Sequence, residues 1–305
     1  MQIRTISRIR KNIIQLNNMK KLNKLWLKYQ SWTKANLTNH KKKSALITLF
    51  LIFILYLVFT AGTLKNKDGE IIGSCNVSGI NLHGGIFTYI PEHEITESSP
   101  YFDSVASENI LWLIKDANEN PNIKAIVIEV DSGGGSPVAG EEVNNAIQHS
   151  NKPVIAFVRS IGASASYLSI SSADKIFASK YSDVGGIGVT MSYLNNVNKN
   201  KKDGYTYEQL SIGKFKDSGS PDKLLTIEEK ILFQRDLKII YDDFIETISK
   251  NRNIPINEVK DFADGSTVLG TKAKELGLID EIGGIFEVKK YLKEITGEES
   301  EICWE

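Results

Sequence analysis

Histidine and cysteine are both scarce in this sequence. The 305 residues contain two cysteines and four histidines, and every histidine precedes the serine-rich stretch IGASASYLSISSADKI at residues 161–176. A catalytic triad whose histidine follows its serine along the chain is therefore excluded. Neither a CxxC nor an HExxH motif is present, so we expect no metal site and no cofactor. The four histidines are His40, His83, His93 and His149.

The two cysteines, Cys75 and Cys303, lie far apart in the sequence. They could form a disulfide in an oxidising compartment. The sequence does not show whether they approach each other, so two free thiols fit it equally well.

Acidic residues are absent from the first 43 positions, which carry twelve lysines and arginines. The remaining residues hold 25 basic against 37 acidic side chains, and this negative balance argues against a nucleic-acid partner. A basic end is typical of a segment beside a membrane. Its scattered isoleucine, leucine and tryptophan residues fit contact with an anionic lipid surface, and a solvated tail fits them equally well.

Charged residues are also absent from Ala45 to Leu64. This run is long enough to cross a hydrocarbon core of about 30 Å. A buried core helix would show a polar face, and a cleaved secretory signal would have a shorter charged region before it. Because Lys41–Lys43 directly precede the run, the positive-inside rule places the N-terminus in the cytoplasm. We predict a basic cytoplasmic tail at 1–44, one transmembrane helix at 45–64 and a domain on the outer face of the plasma (inner) membrane at 65–305.

The exported part alternates apolar runs with helical patterns, which predicts an α/β fold with buried parallel strands. The run IKAIVIEV, for example, is continuous and rich in β-branched residues. A long amphipathic pattern near the end of the chain opens with the capping box Thr226–Glu229. Strands are predicted at 123–130, 153–158 and 174–179, and helices at 107–120, 137–150 and 226–252.

Two turns between these elements have the composition of a site. The stretch EVDSGGGSPVAG at residues 129–140 could direct backbone amides at an anion, although it matches neither a P-loop nor a dinucleotide fingerprint. The serine-rich stretch lies on a similar strand-to-helix turn, where a nucleophile has backbone amides beside it. A tight turn and a helix-capping serine explain the same residues without a function.

Taken in order, these blocks resemble the signal peptide peptidase A family of membrane-anchored serine proteases. The family pattern runs roughly N-S-P-G-G-S, A-S-G-G-Y-Y, T-G-S-I-G-V, a lysine-bearing segment, and A-x-x-x-G-L-V-D-x-x-G. The corresponding blocks here are DSGGGS, ASASYL, VGGIGV, GKFKDSG and AKELGLIDEIGG, and they cover about residues 70–290. The resemblance implies a fold like that of Clp protease and the crotonases, built from stacked ββα units.

The resemblance also implies a Ser–Lys dyad, which needs no histidine. The family's nucleophile falls on Ser164 and its general base on Lys216, with Lys214 as a rival two residues away. The base must be a neutral amine, and burial away from water favours that form. The oxyanion hole would use the amide of Gly134, assisted by that of Ala165.

The chain departs from the family pattern at several positions. The most consequential is Gly186, because the family has there a serine that helps to orient the lysine. The other departures are Gly133 in place of proline, Ala165 and Ser166 in place of two glycines, and Leu168 in place of the second tyrosine.

The function implied by the resemblance is that of a membrane-anchored serine endopeptidase. Its substrates would be signal-peptide remnants or other apolar peptides near the lipid bilayer, and a homo-oligomeric ring would enclose the site. An inactive, membrane-tethered scaffold of the same fold is an alternative, motivated by Gly186. A crotonase-like acyl-CoA enzyme is a further alternative, which the exported topology disfavours because its substrate is cytosolic.

The predicted topology can be tested with a reporter enzyme that is active only outside the cytoplasm, fused after Glu305. We expect the fusion to be active, because the lysines before the apolar run hold the N-terminus inside. An inactive fusion, with a cytoplasmic reporter active at the same position, would reverse the orientation.

Overall fold

The computed structural model describes residues 23–31, 50, 51, 53, 75–91 and 103–305. The chain divides into two compact units, Met1–Gly73 and Ser74–Glu305.

In the first unit, residues 23–31 form a helix whose aromatic side chains stack. The ring centroids of Trp26 and Tyr29 lie 5.8 Å apart, and those of Tyr29 and Phe50 lie 5.3 Å apart. The predicted span at 45–64 lies outside the described residues, except for positions 50, 51 and 53. None of the helices that the structure describes is both long and apolar enough to cross a membrane.

The second unit is built around one largely parallel sheet. In its described part the strands follow the order β2-β1-β3-β4-β5-β8, with β9 beside β1, and β6 pairing with both β4 and β7. Only the β6–β7 pair is antiparallel among the pairs described. The strands are β1 (Val77–Phe87), β2 (Ser104–Ala106), β3 (Ala125–Gly135), β4 (Val154–Ala163), β5 (Lys175–Ala178), β6 (Asp183–Gly185), β7 (Thr267–Leu269), β8 (Glu281–Ile282) and β9 (Ile302–Trp304).

Helices cover both faces of this sheet. The larger core lies on the face that α1, α2, α3 and the end of α5 cover, and the smaller core lies under α8. The helices of this unit are α1 (Ser107–Glu119), α2 (Pro137–Gln148), α3 (Ala165–Ile170), α4 (Val197–Lys202), α5 (Ile227–Arg252), α6 (Ile256–Phe262), α7 (Gly270–Glu275) and α8 (Ile285–Thr296).

The predicted α/β class is confirmed, and the two central strands are longer than predicted. Strand β3 continues through the glycine-rich stretch to Gly135, because its pairing with β1 resumes after a register shift, with Gly134 opposite Gly85. Strand β4 likewise continues to Ala163 and pairs there with β6. The stretch predicted as a turn is therefore partly a strand. The predicted long helix is confirmed, together with its capping box.

A disulfide joins the two ends of the second unit. Cys75 and Cys303 are bonded, with their Cα atoms 5.8 Å apart and a sequence separation of 228 positions. Strand β9 brings them together by pairing with β1, which places Cys303 opposite Ser78. The pairing left open by the sequence is therefore made in the structure.

We expect the double variant Cys75→Ser/Cys303→Ser to be less stable, because a cross-link over so long a loop restricts the unfolded chain. The loss should be about 2–4 kcal/mol in the free energy of unfolding, measured by chemical denaturation of the full chain. The wild-type chain treated with a reductant should match the variant. If the oxidised chain and the double variant unfold alike, the disulfide does not stabilise this fold.

Candidate active site

Ser164 occupies a strained turn between β4 and α3. Its backbone angles are φ 55° and ψ −130°, and its amide donates a hydrogen bond of 2.8 Å to the carbonyl of Gly185. Such a conformation costs a residue with a side chain about 1–3 kcal/mol, and it persists only where its surroundings enforce it. A serine on a strained strand-to-helix turn has its hydroxyl displayed at the end of the sheet, as a nucleophile requires.

Ser166, two residues further on, has a different environment. It is fully buried, and its hydroxyl oxygen lies 2.6 Å from the Ser132 carbonyl and 2.8 Å from the Ala163 carbonyl, which share its one proton. The half-buried Ser164 hydroxyl makes no hydrogen bond to any residue that the structure describes. Of these two serines, Ser164 has the free hydroxyl, and Ser166 has a structural one.

Gly134 lies directly against Ser164. Its φ is +107°, and a Cβ atom added to it would lie 2.7 Å from the Ser164 Cβ and 2.9 Å from the Ala165 nitrogen. Any side chain at this position would displace the serine, so glycine is required. Gly134 and Ala165, the two residues predicted to form the oxyanion hole, therefore both lie beside Ser164.

The Gly134 amide has a hydrogen-bond acceptor within the protein. It donates to the Ser132 hydroxyl at 3.1 Å, and that hydroxyl donates in turn to the Gly84 carbonyl at 2.6 Å. Ser132 thus holds the glycine-rich segment against β1. Ser132 belongs to the glycine-rich motif of the sequence, but its contact with Gly84 depends on the proximity of β1, which no local pattern encodes.

Gly186 packs against the same turn. Its φ is +60°, and an added Cβ atom would lie 3.1 Å from the Ala163 Cβ and 3.2 Å from the Ser164 nitrogen. A serine here, as in the family pattern, would press on the nucleophile's own backbone. The nearest side chain beyond the turn is that of Thr267, whose hydroxyl donates to Asp183 at 3.0 Å.

Lys216 does not lie near Ser164 in space within one copy of the chain. It lies in a series of turns between α4 and α5, its amide bonds to the Gly213 carbonyl at 3.1 Å, and its side chain is exposed. Its rival Lys214 pairs instead with Glu228 at 3.5 Å. Within the described part of the chain, neither lysine makes a hydrogen bond to Ser164.

Helix α5 separates the two predicted dyad residues. At its C-terminal end, Asn251 donates to the Ser171 hydroxyl at 2.8 Å, just after α3. At its N-terminal end, Glu228 meets the segment that carries Lys216. A helix of 26 residues is about 39 Å long. The structure therefore brings together Ser164, Gly134 and Ala165, and it does not bring Lys216 to them.

Among the residues that the structure describes, no group of three or more His, Cys, Asp or Glu side chains could hold a metal ion. The chemistry available at the turn is that of a hydroxyl nucleophile and backbone amide donors.

Comparison with known proteins assigns the family. The model of peptidase family S49 matches residues 146–298, half of the chain, and this range includes both Ser164 and Lys216. The chain belongs to this family, the signal peptide peptidase A family. It is accordingly a serine peptidase.

Three relatives show how the S49 match extends along the chain. The protein MJ0651 of Methanocaldococcus jannaschii is 30% identical over 264 residues, which are 84% of this chain and 83% of that protein. Serine protease SPPA of the Arabidopsis thaliana chloroplast is 29% identical over 60% of this chain and 27% of its own length. Protease 4 of Haemophilus influenzae is 28% identical over 64% of this chain and 32% of its own length. The matched region is therefore about a third or less of the length of the Arabidopsis and Haemophilus proteases.

We expect Ser164→Ala to abolish peptidase activity and labelling by a serine-directed acylating probe, with the fold intact. Ser166→Ala should keep most of the activity and lose only about 1 kcal/mol of stability, because its hydroxyl is a buried hydrogen-bond donor. Mapping the labelled residue by mass spectrometry provides the measurement. A probe attached to Ser166, with Ser164→Ala still active, would contradict the assignment.

Proposed function

We propose that this S49 peptidase is a membrane-anchored endopeptidase that uses a Ser164–Lys216 dyad to cut apolar peptides, signal-peptide remnants among them. The observation that carries the proposal is the strained Ser164 turn with Gly134 packed directly against it. The family's name and the apolar run at 45–64 support the substrate class and the anchor. The parallel strands that alternate with helices support a Clp protease and crotonase-like fold of stacked ββα units.

In the proposed reaction, the Ser164 oxygen attacks the carbonyl carbon of the scissile peptide bond. The neutral amine of Lys216 takes the hydroxyl proton, and the amides of Gly134 and Ala165 donate to the carbonyl oxygen as it becomes negative. The lysine then gives its proton to the leaving amine, and the C–N bond breaks. Water hydrolyses the acyl-enzyme by the same proton transfers in turn.

The segment that carries Lys216, residues 189–226, supports a homo-oligomer. We call this segment the lysine arm. Leu194, Leu210 and Ile212 on it are 89%, 95% and 99% exposed, and Ile227 and Ile231 at the start of α5 are also exposed. Several large apolar side chains exposed within one stretch of chain are typical of a surface that another protein covers. A second copy of the chain is the proposed partner.

The same assembly would bring the two separated dyad residues together. We propose that the lysine arm of one chain reaches Ser164 of a neighbouring chain, because Lys216 and Ser164 are held near opposite ends of α5 in one chain. Contact with the neighbour would also remove water from Lys216, which favours the neutral amine that a base requires.

Membership of the S49 family favours this function over the two alternatives from the sequence. An acyl-CoA enzyme would use the same amides with a different substrate, and its relatives would not be proteases. An inactive scaffold would need neither the strained Ser164 nor a glycine fitted against it.

The proposed base is tested by Lys216→Ala, with Lys214→Ala as the matched control two residues away. We expect Lys216→Ala to lose nearly all peptidase activity, because the variant lacks the amine that takes the Ser164 proton. Lys214→Ala should have an activity close to that of the wild type. Steady-state hydrolysis of an apolar peptide provides the measurement. A Lys216→Ala enzyme with wild-type activity would end the dyad proposal.

The origin of the base is tested by mixing two inactive variants, Ser164→Ala and Lys216→Ala, under conditions that exchange subunits. If the dyad forms between chains, the intact serine of one variant meets the intact lysine of the other, and part of the activity returns. No recovery, in assemblies shown to be mixed, would place the dyad within one chain.

A further inference from the structure

Glu229 is the only charged residue that is buried among those the structure describes. It is 3% exposed, and it lies in the first turn of α5, immediately beyond the lysine arm. Neither the nucleophile nor the oxyanion donors use it. A buried carboxylate is costly unless its oxygens have partners, so its partners identify its role.

The two oxygens of Glu229 have different partners. Oε2 accepts from the amide of Thr226 at 2.8 Å, and the Thr226 hydroxyl accepts from the Glu229 amide at 3.2 Å, which completes the capping box. Oε1 accepts from the Lys223 ammonium at 2.6 Å. Oε2 therefore caps the first turn of α5, and Oε1 binds the lysine arm through Lys223.

The contact continues from Lys223 along the lysine arm to the neighbour of the proposed base. The Lys223 ammonium also lies 3.7 Å from Asp217 Oδ2, which accepts a hydrogen bond of 2.6 Å from the Tyr207 hydroxyl. The Lys223 and Asp217 side chains are only about one-fifth exposed. Asp217 directly follows Lys216, so this chain of contacts fixes the backbone from which Lys216 extends.

The contact with Lys223 favours the charged form of Glu229. The hydrogen bond from Lys223, followed by that from the Thr226 amide, lowers the pKa of Glu229 to about 2. Because this folded-state pKa lies below the ordinary glutamate value, the pair stabilises the folded chain above that value and loses its contribution as the pH falls toward 2. The Glu229–Lys223 pair is therefore present near neutral pH.

We propose that Glu229 is a positioning residue for the peptidase reaction, acting through Lys223 and Asp217 to hold the lysine arm so that Lys216 is presented to Ser164. The inference rests on the proposed Ser164–Lys216 dyad. It deepens that proposal, because it assigns the support of the lysine to α5 in a chain whose Gly186 lacks a hydroxyl. Helix α5 is a suitable support, since its far end is buried in the core at Phe244, Ile245 and Ile248.

The test compares Glu229→Gln with Glu228→Gln in the full chain. Glutamine keeps the capping box and removes the charge that binds Lys223, so the helix should still begin at the same place. Glu228→Gln is the matched control, because Glu228 is exposed and pairs with Lys214. We expect kcat of Glu229→Gln to fall at least about tenfold with KM little changed, because a displaced base slows the chemical step and not peptide binding.

Hydrogen exchange provides a second readout. In Glu229→Gln, the amides of residues 205–223 should exchange faster, and those of the sheet should be unchanged. If Glu229→Gln does not fold, Lys223→Gln breaks the same link and leaves the capping box intact. The same loss of kcat is then expected.

The outcomes separate this inference from the proposed function. If Lys216→Ala is inactive but Glu229→Gln and Lys223→Gln keep the kcat of Glu228→Gln, the positioning role is overturned and the dyad stands. If Lys216→Ala is itself active, the proposed function fails and the positioning role fails with it.

Discussion

The hydrogen bond from the Ser166 hydroxyl to the Ser132 carbonyl joins the two strand ends on which the site depends. Regular pairing of β3 with β4 is interrupted after Val130 and resumes only where Ser132 meets Gly162. A second bond crosses the same irregular region, since the Asp131 carboxylate accepts from the Ile161 amide at 3.3 Å, so the two strand ends stay aligned even when one of these bonds is lost. The Ser166 hydroxyl also lies 2.8 Å from the carbonyl of Ala163, the residue before Ser164, while Gly134 packs directly against Ser164 itself.

The sequence was sufficient to predict the regular part of the fold, because burial alone determines it. The runs at 123–130 and 153–158 are apolar on both faces, and such runs become central parallel strands. Their extensions to Gly135 and Ala163 were not predictable in the same way. A run of glycine and serine has the composition of a turn, and only the presence of β1 and β6 as partners makes it a strand.

The geometry of the site was predictable in part for a related reason. Glycine at position 134 indicated close backbone approach, and the structure shows that the approach is to Ser164. The strained conformation of Ser164 itself left no mark in the sequence, because the residue is not a glycine. Lys216 came from family resemblance alone, since no local pattern distinguishes it from Lys214. The separation of Lys216 from Ser164 reflects tertiary packing along α5, which no local pattern encodes.

The strain at Ser164 is also the strongest physical argument for a working enzyme over an inactive scaffold. A scaffold would gain stability by relaxing this turn, since an unusual φ and ψ cost about 1–3 kcal/mol and return nothing to the fold. The structure instead surrounds the turn with groups that enforce it: the Gly185 carbonyl on one side and a glycine without a Cβ atom on the other. The Ser164 hydroxyl, which bonds to none of the described residues, lies at this turn beside Gly134 and Ala165. That arrangement is intelligible if stability is sacrificed to hold a nucleophile in place before its substrate arrives.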